Sequence, residues 1–189
     1  MDQSRMLGFL VIVVLYATIG FLAAVGTTSI TQKILRPRAE QVFYGLFLAA
    51  IAAFYLAFVA YFGDSAAWRM ETVAVVLFVL IGLFGMRLPI ALVIGYPLHA
   101  LWDLTHELQA QGALSAYYLG QLTAIPLAYG VFCATFDVYI AGYAYSRRAE
   151  WAAAWMPQSQ EEPQESQEPQ EPQESQEPLE PRQEPTLPA

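Results

Sequence analysis

Five runs of apolar residues, each close to the length of a bilayer-crossing helix, constrain this chain more than any other feature. A hydrocarbon core about 30 Å thick needs roughly 20 residues at 1.5 Å each. Runs of that order stand near residues 6–26, 41–63, 72–87, 88–108 and 122–146. Backbone in hydrocarbon must satisfy its own hydrogen bonds, so segments of this kind fold as helices. The expected fold is therefore all-α, a five-helix transmembrane bundle. The third run passes almost directly into the fourth, with Arg87-Leu88-Pro89 as the only punctuation. Proline fits the first turn of a new helix, whereas one helix over 72–108 would overrun the bilayer and leave Arg87 inside it. A tight helical hairpin is the expected outcome.

Charge divides the chain in two. It is 56% hydrophobic yet carries a formal charge of −8, and the charge is local. Residues 157–189 hold nine Glu and one Arg, whereas residues 1–156 hold eight acids and eight bases. The acidic stretch repeats Gln-Glu-Pro and Gln-Glu-Ser units with almost no apolar residues, so it has nothing to bury against its ordering entropy. Its prolines and like charges favour extended, solvated backbone. The expected organisation is a bundle over 1–156 and a disordered low-complexity tail over 157–189, which serves as a solubilising extension or as a partner-binding segment. No basic patch large enough for nucleic acid is present, and no soluble domain stands elsewhere to carry chemistry.

Orientation follows from the short loops. With the N-terminus outside, Lys33, Arg36, Arg38, Arg87, Arg147 and Arg148 lie on the inner side against Arg5 and Arg69 on the outer, which is the bias expected of a cytoplasmic face. Cleavage of a signal peptide after Ala24-Val25-Gly26 would put the most basic loop outside, so the first run is taken as a retained helix. The tail then lies in the cytoplasm, and the protein is expected in the cell inner membrane. Trp151 and Trp155, an i, i+4 pair after Arg147 and Arg148, suit the headgroup level.

The fourth run carries the candidate chemistry. Both histidines of the chain and an aspartate fall within Pro97-Leu-His99-Ala-Leu-Trp102-Asp103-Leu-Thr-His106. At about 100° per residue, His99, Asp103 and His106 share one helix face within roughly 60°. Polar groups at this depth usually face a bundle interior or a water-filled cavity. Counting from the inner ends puts His99 and Asp137 within about one turn in depth, so the fifth helix can bring its acid to the same level. The Asp137 face also carries Gly130, Cys133, Ala141 and Ala144, small residues that let another helix approach. Asp103 and His106 fall toward the outer end, near Asp64, Glu71 and Glu107, which together form an expected outer polar mouth. Pro97 removes a helix hydrogen bond and frees the Val93 carbonyl, and Pro126 admits the same reading in the fifth helix.

Three uses of these groups compete. Acid and histidine chains of this kind mark proton or ion paths, so a small-solute or proton pathway built on His99, Asp103, His106 and Asp137 is the preferred functional reading. The rival is an intramembrane metal-dependent enzyme. Asp103-Leu-Thr-His106 has the i, i+3 acid–histidine spacing of four-helix carboxylate metal sites, but it occurs once, and those sites use it twice. No cofactor is firmly implied, and a divalent metal at Asp103 and His106 is the candidate. The plainest reading is a structural or partner-binding subunit, in which the same groups satisfy one another between helices for about 0.6 kcal/mol per hydrogen bond.

Cys133 is the single cysteine and reads as a small packing residue. Tyr16, Tyr55, Tyr129, Tyr139 and Tyr143 inside the helices are candidates to line a polar cavity, with packing and interfacial anchoring as the plainer reading. Phosphate loops and nucleophile elbows are absent. The segment from Gly95 to His106 resembles an uncharacterised family of small multi-helix bacterial integral membrane proteins, over most of residues 1–150. The resemblance implies an inner-membrane protein with no assigned activity. Lipid is the implied partner, with self-association or another membrane protein as further expectations.

Overall fold

The computed structural model describes residues 3–63, 65–110 and 122–156, and among these the only regular elements are five helices. They are α1 (Gln3–Ile34), α2 (Pro37–Phe62), α3 (Trp68–Gly85), α4 (Pro89–Ala110) and α5 (Tyr129–Ala154). Proline opens both α2 and α4, where its missing N–H removes nothing the helix needs. Gly63, at a φ of 68°, closes α2 in the left-handed conformation and returns its N–H to the Val59 carbonyl. Three helices are long and apolar enough to cross a membrane: Met6–Ile34 within α1, then α2 and α3.

The helices run further than the apolar runs. Helix α1 continues through Thr27 and Thr31 because its hydroxyls bond back into the helix, Thr28 to the Ala24 carbonyl at 3.0 Å and Thr31 to that of Thr27 at 3.0 Å. Polar residues thus extend the helix until Pro37 forces a new start. Helix α5 begins at Tyr129 rather than near 122, so Pro126 lies ahead of it in irregular backbone. It then carries on past Arg147 and Arg148 to Ala154. Trp151, expected at the headgroup level, is fully buried instead. Asp64, residues 111–121 and the acidic stretch 157–189 lie outside the described residues.

Packing is dominated by α4 on α5 and α2 on α3, with α1 resting on α5 and barely touching α2. Close approach depends on glycine at three seams, the first being α1 on α5, where Gly20 lies against the Phe132 carbonyl. A side chain at Gly130 of α5 would run into the Asp103 carbonyl of α4, and Gly45 and Gly82 face each other's carbonyls between α2 and α3. Burial is inverted relative to a water-soluble bundle. Leu7, Val14, Leu22, Val73 and Leu101 are among the many large apolar residues left exposed, while Glu40, Glu71, His99, Asp103, His106 and Asp137 are almost wholly enclosed.

Candidate functional site

One face of α4 supplies the centre of the site, since Leu92, Gly95, Tyr96, His99, Asp103, His106 and Glu107 are all buried along it. The i, i+4 step from His99 to Asp103 stacks the two side chains one turn apart. Helix α5, held close by Gly130, adds Asp137. The His99 Nδ1 lies 2.7 Å from Asp137 Oδ2 and 3.2 Å from Asp103 Oδ2. Helix α2 adds Tyr55, whose hydroxyl donates to Asp103 Oδ1.

His106 belongs to a second pair. Its Nδ1 lies 3.0 Å from the Trp102 carbonyl, which can only accept, so that nitrogen carries a proton. Its Nε2 lies 2.8 Å from Glu71 Oε1 of α3, and that oxygen also accepts the Thr123 backbone N–H at 3.0 Å. The Tyr55 ring links the two pairs, with its centroid 4.3 Å from that of His106 and 6.0 Å from that of His99. Phe78 meets His99 edge-on at 4.8 Å, and Trp102 meets His106 at 5.1 Å. Two hydrogen-bonded histidine–acid pairs therefore sit on either side of one tyrosine, sealed by aromatic rings.

The residues singled out in the sequence divide between these pairs. His99, Asp103 and Asp137 come together, whereas His106 turns to Glu71, so Asp103 and His106 do not converge on one point. Glu107 is buried where Gly130 of α5 packs on α4. Ligand-type atoms of His99, Asp103 and Asp137 lie within 4.8 Å of one another, the one grouping among the described residues with the donor set for a metal ion. Within it, His99 Nε2 and Asp137 Oδ1 have no hydrogen-bond partner, and Asp103 Oδ2 has only the 3.2 Å approach of His99 Nδ1. With both acids ionised the cluster would be a positive charge short of neutral even with the ring protonated, so either a carboxyl keeps a proton or a cation joins the cluster.

Two participants were missed by the sequence analysis. Tyr55 is one, with packing as its plainer reading there. The other is Glu40, at the opposite end of the bundle, one residue ahead of the second apolar run. Glu40 is fully buried and accepts from Trp151 Nε1 at 2.8 Å, from Arg147 NH2 at 2.9 Å and Nε at 3.2 Å, and from the Tyr143 hydroxyl. Burial alone would lower the Arg147 pKa, but the hydrogen bonds and charge of Glu40 outweigh it and raise the guanidinium above its ordinary value. Beside it, Gln41 accepts from Trp155 at 2.9 Å and donates to the Gly85 carbonyl at 2.7 Å, and Arg87 lies 4.2 Å over the Trp155 ring. The missed signal was the spacing Glu40, Tyr44, Leu48, Ala52, Tyr55, Val59, a single stripe that α2 buries from end to end.

No curated protein and no solved structure matches this sequence. Residues 15–150, which contain every member of both histidine–acid pairs, match one family along their whole length, and the chain belongs to it: DUF6010, a family of unknown function.

Proposed function

We propose that this is an integral protein of the cell inner membrane whose five helices all cross the bilayer and whose interior binds and passes protons. The inverted burial supports the membrane reading, since apolar residues face outward while acids and histidines face in. Sidedness is supported by the clustering of Arg38, Arg87 and Arg147 about the Glu40 end, with Glu71 and His106 at the other. On the positive-inside rule that end is cytoplasmic, with the N-terminus outside and the C-terminal tail in the cytoplasm.

The observation that carries the proton reading is the direct contact of His99 with two acids, with Tyr55 joining that cluster to a second histidine–acid pair. Groups packed at 2.7–3.2 Å favour a proton over a bulkier solute. A divalent metal is the second reading, favoured by the grouping of His99, Asp103 and Asp137. Against it stands His99 Nε2, because a ligating histidine almost always holds its second nitrogen to a hydrogen-bond partner and this one has none.

Proton uptake into vesicles containing the purified chain, with metal analysis of the same sample, tests both. His99→Gln and Asp103→Asn should insert and fold normally but lose the pH-dependent uptake, since each removes a titrating group with little change in size. Stoichiometric zinc or iron that disappears in Asp103→Asn would establish the metal site instead. Wild-type behaviour in both variants, with no metal, would leave only a structural network.

A further inference from the structure

Beside the histidine–acid cluster, α2 and α5 leave an apolar groove of about 450 Å³, within the range of small-molecule sites. Its walls are aromatic, and the two helices run antiparallel along it. Phe47 stands level with Phe136, their rings 5.6 Å apart, and Phe58 stands level with Tyr129 at 5.1 Å. Eleven residues of α2 separate Phe47 from Phe58, which gives the groove a length of about 16 Å at 1.5 Å per residue. Phe54 and Pro126 line it and are themselves exposed, so the groove opens sideways, on the face where the bundle meets lipid.

Besides the Tyr129 hydroxyl and the Cys133 thiol, which face each other, one acid lines this groove, and it lies at the Phe136 end. Asp137 is fully buried, its Oδ2 is taken by His99, and its Oδ1 has no partner. An acceptor oxygen there, in a cluster with more acids than bases, calls for a ligand that brings both a hydrogen-bond donor and positive charge. Phenyl faces along the remaining length call for an apolar body, and they also receive a cation favourably.

We propose that the α2–α5 groove binds a lipophilic primary ammonium compound, its head on Asp137 Oδ1 and its hydrocarbon body laid along Phe54 and Phe58 toward Pro126. The site rests on the membrane-embedded reading above, because its mouth takes ligand from the lipid phase, but it does not require that protons move through the bundle.

The test uses the full chain in lipid nanodiscs and a dodecylamine that carries a photoreactive diazirine near its tail. An uncharged dodecanol with the same diazirine is the control, and labelled residues are mapped by mass spectrometry. The amine should label residues 47–58 and 126–137 well above the other lipid-facing helices and above the alcohol. Labelling should fall about tenfold or more in Asp137→Asn, the loss expected for a charge-assisted contact. Ile51→Trp, which fills the groove without touching the cluster, should abolish labelling and leave vesicle proton uptake unchanged. Equal labelling in wild type and Asp137→Asn, equal labelling by the alcohol, or label spread evenly over all outward faces would overturn the proposal. A chain that does not enter the nanodisc overturns the membrane reading and the groove with it, whereas loss of proton uptake alone leaves the groove standing.

Discussion

Replacing Glu40 by alanine should loosen one whole end of the bundle. The carboxylate gathers three side chains from α5, so its removal strands Trp151 Nε1 and the Tyr143 hydroxyl and leaves the Arg147 guanidinium with Glu150 as its one acid. Trp151 is fully buried, and an unsatisfied buried donor costs about 1–3 kcal/mol. The Arg147 side chain is 15% exposed and keeps its ion pair with Glu150, so its charge stays partly compensated, and its share lies below the roughly 3–5 kcal/mol for breaking a buried pair. The two costs overlap because they belong to one network, and a total of about 3–5 kcal/mol is expected. For a chain of this size that corresponds to a fall of roughly 6–20 °C in the thermal midpoint, read by far-ultraviolet circular dichroism in detergent. Glu40→Gln keeps one acceptor oxygen and should fall between wild type and Glu40→Ala. The decisive measurement is the double variant with Arg147→Ala. A coupling below about 0.5 kcal/mol would mean that the two residues stabilise the protein independently, and the reasoning would be refuted.

Three further outcomes are expected. Gly130→Ala should force α5 away from the Asp103 carbonyl, costing about 1–3 kcal/mol of stability and reducing proton uptake by more than the same destabilisation placed elsewhere. Tyr55→Phe retains the ring beside His106 but withdraws the donor from Asp103, so a loss of about 1.5–3 kcal/mol is expected by thermal melting, and a loss near zero would show that another donor replaces it. Reporter fusions at Glu150 and Gln111 should give cytoplasmic and external signals respectively, and a chain ending at Met156 should melt like the full chain. The reverse fusion result would overturn the orientation.

Legibility of the chain followed the range of the interactions involved. Helical class was plain, because an apolar run of 20 residues has few ways to satisfy its backbone, and Pro89 marked one helix start unaided. Helix ends were less plain. Thr28 and Thr31 are polar, so they read as loop, and only their bonds to carbonyls one turn back reveal that they continue α1. In the site, one-helix spacing placed His99, Asp103 and His106 on a single face. The choice of partner across helices depends on rotation about each axis, which spacing alone does not determine. The Asp103-Leu-Thr-His106 spacing pointed to a shared ligand, yet His106 reaches Glu71 on α3 while Asp103 reaches Tyr55 on α2. Glu40 was hidden for a related reason. Flanked by Arg36 and Arg38, it has the neighbours of a surface residue, and the Trp151 that buries it lies 111 positions away.

The resting of α1 on α5 sets an order of assembly. During synthesis the first helix emerges with scarcely any contact to the second, and it finds its main neighbour only when the last helix is made. The same wait applies to His99, whose closest acid lies 38 residues further along the chain. Until α5 is made, the α4 histidine lacks its nearest acid and α1 lacks its main neighbour. Docking of α5 closes the N-terminal helix, the histidine cluster and the Glu40 end in one event, so a chain truncated before Asp137 lacks all three together.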